Sequence, residues 1–332
     1  MTTNRFALAA VATVSIVTLA ACSSSSSSTP AASGSASGGS KTITIGVSVA
    51  DQKSLFYIAA VDGMKKAAAD AGVTLNILSA DNDANKQVNQ VNDLLTQNVN
   101  ALIFIAQDAT SAAAGVKAAN AANVPVIAVD EKPEAGSGQL ATYIATDSVK
   151  AAKDLCTWLF KKIGGSGDIG ILQGVLGATA MVQRTAGCNQ ALAANPTIKV
   201  VATQSANWDE TQGYKAAQNM LQANPSIKAI FAESDAMALG AAKAAKDANR
   251  TIVSVGIDGF PTMIAGIKAN LTQATQAQIP YKMGQLAVAD AIKIANGDTT
   301  SVPALQYQDT VLVTADNVNS VNPVDFYGPN VK

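Results

Sequence analysis

Whatever this chain does, it does without histidine, because its 332 residues contain none. That excludes Ser-His-Asp and Cys-His nucleophiles, zincin motifs and imidazole metal ligands. The groups left with chemical potential stand at one kind of place, just after short aliphatic runs. They are Phe56-Tyr57, Asp130-Glu131, Gln173-Gly174 with Arg184 downstream, Asn207-Trp208-Asp209, Glu233-Ser234-Asp235, Asp258-Gly259 and Gln278. Carboxylates, guanidinium and amides offer bidentate hydrogen bonds, and exposed rings offer flat apolar faces. Only 5 % of the chain is aromatic, so a ring outside a core position counts. No carboxylate spacing singles out a catalytic pair, and neither a metal nor a cofactor is expected. Each residue also has a structural reading: Phe56 and Tyr57 as core, Arg184 as an exposed helix charge, Asp258 as a helix cap. Trp208, between Asn207 and Asp209, is a poor core candidate. Asp235 reads mainly as the cap of its own helix, with Ser234 as the neighbour facing the ligand.

Two motifs fail on context. Gly165-Ser166-Gly167-Asp168-Ile169-Gly170 spells G-x-G-x-x-G but precedes a strand, so a phosphate cradle is not expected. Asp81-Asn82-Asp83 begins like a calcium loop, yet Lys86 stands for the turn glycine and Asn92 for the bidentate Glu. It reads as a connection whose Asx residues cap the next helix.

The elements that would carry these residues alternate. Ile43–Val49, Val73–Ser79, Ala101–Ile105 and Val124–Val129 have strand composition. Phe56–Ala71, Ala84–Gln97 and Ser111–Ala122 carry helical patterns, the first stopped by Gly72. The pattern resumes with strand Asp168–Leu172, helices near 180–194 and 211–223, and strand Ala229–Ala232. Helix Asp235–Ala248 and strand Ile252–Ile257 follow. A strand–helix repeat predicts an α/β fold with parallel sheets covered on both faces. Two sets predict two doubly wound lobes, with ligand beyond the carboxyl ends of the strands.

Composition narrows the function classes further. Lys and Arg number 23 against 24 Asp and Glu, a formal charge of −1, so no electrostatic footprint for nucleic acid exists. At 48 % hydrophobic and 14 % charged residues the chain is built to fold. Residues 1–21 read as an export signal, since Arg5 precedes the uncharged run Phe6–Ala21, which is short of the about 20 residues a membrane span needs. Leu19-Ala20-Ala21-Cys22 resembles a bacterial lipobox, which implies cleavage before Cys22 and acylation of its thiol; an ordinary signal ahead of a cysteine is the alternative. Ser23–Ser40 contains only Ser, Thr, Pro, Ala and Gly, a flexible tether spanning about 25 Å. Residues 22–40 would then hold the folded lobes at the outer face of the cell membrane.

From about Lys41 to Val313 the chain resembles the ribose-binding-protein branch of the periplasmic sugar-binding proteins that feed ABC importers. Asp235-Ala236-Met237-Ala238-Leu239-Gly240 and Gly256-Ile257-Asp258-Gly259 carry the resemblance most specifically. It implies the type I periplasmic binding protein architecture, with lobes joined by a three-strand hinge near Thr146-Asp147, Gln278 and Tyr307. The expected lobes are 41–146 plus 279–306, and 147–278 plus 307–332. Ligand would lie between them, bound by Phe56, Tyr57, Asp130, Glu131, Arg184, Trp208, Ser234, Asp258 and Gln278, with closure by hinge motion. Two departures bear on the ligand. Ribose binders carry Arg where this chain has Glu131, and Asn where it has Ser234. If Glu131 faces the ligand, a hexose, a polyol or an inositol fits better than ribose itself, and other pentoses stay within the expected range. A cation caged by Phe56, Tyr57 and Trp208 and countered by Glu131 is a further alternative.

With Cys22 assigned to lipid, Cys156 and Cys188 remain as an even pair in an oxidising compartment, either bridged or as two buried thiols. The expectation is a bridge. The protein is thus expected to be a monomeric lipoprotein that hands a sugar or polyol to an ABC permease. A ligand-sensing receptor component, or a carboxylate-based enzyme on the same scaffold, are the alternatives.

Overall fold

Strands form where aliphatic residues run unbroken, because a sheet covered on both faces needs apolar side chains on both. β1 (Thr44–Val49), β3 (Ala101–Ile105) and β4 (Val126–Val129) meet this condition and are almost wholly buried. The structure is a computed structural model that describes residues 42–331. The expected export signal, Cys22 and Ser-rich tether lie outside those residues. No helix among the described residues is long and apolar enough to cross a membrane.

The first lobe alternates β1, α1 (Leu55–Ala71), β2 (Thr74–Ser79), α2 (Ala84–Thr96), β3, α3 (Ala109–Ala121), β4 and β5 (Thr142–Thr146). The second runs through α4 (Ser148–Lys162), β6 (Gly167–Gln173), α5 (Thr179–Ala193), β7 (Ile198–Ser205), α6 (Glu210–Ala223) and β8 (Ile227–Ala232). It continues with α7 (Asp235–Asp247), β9 (Val253–Asp258), α8 (Pro261–Lys268) and β10 (Ala274–Ala277). The chain then returns to the first lobe for α9 (Pro280–Ala295) and β11 (Leu305–Gln308), and crosses back for β12 (Val311–Thr314) and α10 (Val324–Tyr327). One sheet has the order β2-β1-β3-β4-β5-β11 and is parallel throughout. The other has the order β7-β6-β8-β9-β10-β12, parallel except for the antiparallel β12.

The third crossing falls just beyond Tyr307. Tyr307 lies inside β11, in register with Ala145, so the chain changes lobes at Asp309-Thr310 rather than at Tyr307. The backbone keeps its ladder with β5 as far as Gln308 and is released only where that ladder ends. Hydrogen bonds tie the crossings together: Thr146 Oγ1 donates to Gln278 Oε1 at 2.6 Å, and Thr310 Oγ1 to Gln276 Oε1 at 3.0 Å.

Helices pack closely over the sheets where glycine removes a side chain. A Cβ on Gly284 of α9 would stand 1.9 Å from the Ala60 carbonyl oxygen of α1, and one on Gly63 would stand 2.0 Å from that of Tyr281. In the second lobe, Gly187 of α5 meets the Val149 carbonyl of α4 in the same way. Cys156 of α4 and Cys188 of α5 are disulfide-bonded beside that crossing, with Cα atoms 5.4 Å apart.

Candidate ligand-binding cleft

The carboxyl ends of both sheets face one cavity of about 610 Å³. All nine residues expected to bind ligand line it: Phe56, Tyr57, Asp130, Glu131, Arg184, Trp208, Ser234, Asp258 and Gln278. Several stand in unusual backbone conformations. Asp130 (φ 66°), Asn207 (52°), Trp208 (62°) and Asp258 (153°) all have positive φ, which costs a non-glycine residue about 1–3 kcal/mol unless the surroundings hold it. Such turns sit at strand ends, where the chain must leave the sheet abruptly to aim side chains into the opening.

Three rings form the walls. Phe56 and Tyr57 open α1 and meet edge to face, with centroids 5.6 Å apart and planes at 82°. Phe56 is 7 % exposed and packs into the first lobe's core, so its core reading and its cavity position both hold. Across the cavity, the Arg184 guanidinium lies 5.5 Å from the Trp208 ring centroid. Trp208 rests on Gly174, where a Cβ would stand 1.9 Å from the indole.

The polar groups form a network on the second lobe. Arg184, 4 % exposed, is no surface charge: its Nη1 donates to the Glu233 carbonyl and lies 3.7 Å from Asp258 Oδ1. Arg184 Nε is buried with no hydrogen-bond partner among the described residues. Asp258 accepts from Gln278 Nε2 at 2.8 Å and from the Asp235 backbone N–H at 3.2 Å. It therefore serves the start of α7 and not the helix that follows it. Gln278 thus links the hinge, through Thr146, to the cavity, through Asp258.

Ser234 faces the cavity as expected, but the cap of α7 expected of Asp235 is also Ser234's. Ser234 is the N-cap of α7, accepting from the Met237 N–H. The Asp235 carboxylate instead holds the turn after β9, accepting from Gly259 N, Phe260 N and Thr275 Oγ1 at 2.6, 2.9 and 2.7 Å. Burial raises the carboxyl pKa of both Asp235 and Asp258; the Asp258 charge raises Asp235 further, while Arg184 draws Asp258 back down. Arg184 thus favours the charged form of Asp258 over that of Asp235. Glu233 accepts from Gly174 N and Thr185 Oγ1, and burial pushes its carboxyl up to about 7.

On the first lobe, Tyr57 Oη donates to Asp130 Oδ2 at 3.2 Å and Tyr143 Oη to the Asp130 carbonyl at 2.7 Å. Burial raises the Asp130 carboxyl, opposed by the Arg184 charge. Glu131 lines the cavity, but its carboxylate is engaged by Thr179 of the opposite lobe, through Oγ1 at 2.6 Å and the backbone N–H at 3.2 Å. The sequence argument that Glu131 selects against ribose by facing the ligand therefore loses its footing.

These features meet in one place: two doubly wound lobes, three crossings, and a cavity walled by rings and floored by charge. A family model described as a periplasmic binding protein domain matches residues 45–299. The chain belongs to the periplasmic binding protein family. A ribose import binding protein of Bacillus subtilis is 36 % identical over 260 residues, 78 % of this chain and 84 % of that protein. A xylitol-binding protein of Mycolicibacterium smegmatis is 34 % identical over 285 residues, covering 84 % and 79 %. The crystal structure of an ABC transporter solute-binding protein from Bacillus halodurans with bound myo-inositol superposes with a TM-score of 0.80 at 28 % identity, covering 85 % of this chain and 98 % of that one. The matched proteins are binding components and not enzymes, and this periplasmic binding protein stands with them.

Asp51, Asn82, Gln107 and Phe260 also line the cavity of this binding protein and were missed from sequence. Asn82 and Gln107 stand in the short connections that follow β2 and β3, so reading the first few residues after every strand would have found them. Phe260 carried no signal of its own beyond standing two residues after Asp258.

Proposed function

We propose that the protein is an extracytoplasmic solute-binding lipoprotein that captures a sugar or polyol between its lobes and delivers it to an ABC permease. The observation that carries this reading is that the rings of Phe56, Tyr57 and Trp208 and the polar groups of Arg184, Asp258 and Asp130 line one cavity. A sugar presents C–H faces that Phe56, Tyr57 and Trp208 can cover, and hydroxyls that both donate and accept. Asp130 and Asp258 take the donors. Arg184 Nε supplies a donor for a hydroxyl oxygen, removing a penalty of about 1–3 kcal/mol for a buried unpaired group. The relatives' pentose, polyol and inositol ligands set the range to test, and ribose returns to it because Glu131 is otherwise engaged. The lipobox-like Leu19–Cys22 and the tether support attachment to the membrane's outer face. With more than one acyl chain, at about 0.8 kcal/mol per buried CH₂, that attachment would be firm.

Thermal unfolding of the mature protein with D-ribose, D-allose, xylitol, myo-inositol and glycerol tests the reading. A cognate solute at 100 times its Kd stabilises the protein by roughly 2.7 kcal/mol. Trp208→Ala should remove most of that gain. A panel in which no sugar or polyol moves the melt would reject the ligand class.

A further inference from the structure

Helix α5 starts at Thr179 with Ala178 as its N-cap, a residue with no side-chain acceptor, so its own N-cap makes no side-chain hydrogen bond. α1, α8 and α9 likewise start without a side-chain cap, and what sets α5 apart is the carboxylate that reaches it from elsewhere. α2, α3, α4, α6 and α7 are each capped by their own Asp83, Asp108, Asp147, Asp209 or Ser234. The first N–H groups of a helix have no intrahelical partner, and a carboxylate placed there meets both the free donors and the positive end of the dipole. On α5 that carboxylate comes from the other lobe. Glu131 accepts from Thr179 N with both oxygens at 3.2 Å and from Thr179 Oγ1 at 2.6 Å. The adjacent Lys132 N–H donates to the same Thr179 Oγ1 at 3.2 Å, so two consecutive residues of the first lobe grip one residue of the second.

A turn at Asp130 makes this reach possible. Its positive φ, with Glu131 N bonded back to the Val129 carbonyl, bends the chain off β4 toward the facing lobe. Asp130 and Glu131 therefore divide the work: one carboxylate stands over the cavity, the next crosses it.

We propose that Glu131 is a closure latch that caps α5 across the cleft, binding the closed arrangement of the lobes instead of the solute. When the lobes separate, the α5 N–H groups and the carboxylate return to water, so the capping energy belongs to the closed state alone. A ligand that needs the closed state then gains affinity from the latch whatever its own structure, because the competent population is larger. The latch relies on the solute-binding reading only for what the closed cleft encloses; the interlobe contact itself does not depend on it.

The test compares wild type, Glu131→Ala, Glu131→Gln, Thr179→Val and the double variant Glu131→Ala/Thr179→Val as mature proteins. Calorimetry gives Kd for D-ribose, D-allose, xylitol and myo-inositol, and small-angle scattering gives the radius of gyration of the ligand-free protein. Loss of a helix cap corresponds to an effect of about fivefold. Glu131→Ala should weaken every solute that binds wild type by one common factor of that size, with the rank order kept. Glu131→Gln, which retains one acceptor oxygen, should fall between. The double variant should lose less than the sum of the two single losses, since both changes break the Glu131–Thr179 contact, while Thr179→Val also removes the acceptor of the Lys132 N–H. A changed rank order among the solutes would place Glu131 on the ligand and overturn the latch, as would unchanged Kd values. If none of the four solutes binds, the ligand reading fails for them and scattering alone decides. Expansion of ligand-free Glu131→Ala relative to wild type then supports the latch, and identical radii reject it.

Discussion

Glu233 shows how burial and charge trade at the level of one residue. Its side chain is fully buried beneath the cavity floor, where it organises Gly174, Thr185 and the neighbourhood of Arg184. Burial disfavours its ionised form and lifts the carboxyl from an ordinary 4.5 to about 7, although both hydrogen bonds and Arg184 pull the other way. A group raised on folding stabilises the native state fully below its unfolded pKa, and that contribution is lost as pH rises through the folded value. Stability should thus fall between about pH 4.5 and pH 7 by on the order of 3 kcal/mol from this residue. Glu131, also raised to about 7, adds in the same sense. Glu233→Gln cannot ionise, so its melting temperature should decline less across pH 5–7.5 than that of the wild type. Parallel melting curves would show that Glu233 stays ionised and that the hydrogen bonds outweigh burial.

Among elements, the α4–α5 pair carries two constraints at one crossing. Gly187 lets the helices approach until a Cβ would strike the Val149 carbonyl, and Cys156–Cys188 joins the same pair across 32 residues of chain. A crosslink of that span narrows the unfolded ensemble and contributes about 2–4 kcal/mol. Cys156→Ala/Cys188→Ala should lower the unfolding free energy by that amount in denaturant titrations without altering solute selectivity, because neither sulfur lines the cavity. Two alkylatable thiols in natively purified wild type would show that the bridge does not form in the cell.

At the scale of the whole molecule, the C-terminal segment spans both lobes. Phe326 and Tyr327 enter the core of the second lobe, and Tyr327 Oη donates to the Asp258 carbonyl at 2.8 Å. The same short helix, α10, lies against α9 and α1 of the first lobe, and Asn330 Nδ2 donates to Asp62 at 3.1 Å. The segment thus straps the lobes together while steadying the backbone of a cavity residue. Ending the chain at Asn322 should cost at least ~3 kcal/mol of stability, the scale of losing a buried aromatic, and should weaken solute binding through Asp258. Tyr327→Phe, which keeps the packing, should show a loss of about 1 kcal/mol. Wild-type stability in the truncated protein would rule out the strap.

Local order was legible because it is local. Alternating aliphatic and amphipathic runs specify strand and helix within a few residues, and parallel crossovers then bring every strand's carboxyl end to one side. That rule brought most of the site residues to strand ends, and the resemblance to the ribose-binding-protein branch then implied that Phe56, Tyr57, Asp130, Arg184, Trp208, Ser234, Asp258 and Gln278 share one cavity. Asn82 and Gln107 obeyed the same rule without being read by it. What each side chain does there depended on partners far along the chain. Ser234 and not Asp235 caps α7 because Asp235 meets Thr275 and the turn after β9, neither of which its own helix reveals. The destination of Glu131 is the sharpest case. Its type and position pointed at a ligand, but Thr179, 48 residues away and in the other lobe, supplies donors at hydrogen-bond distance. Periodicity determines which face a residue occupies; only the meeting of two lobes decides what is waiting on the other side.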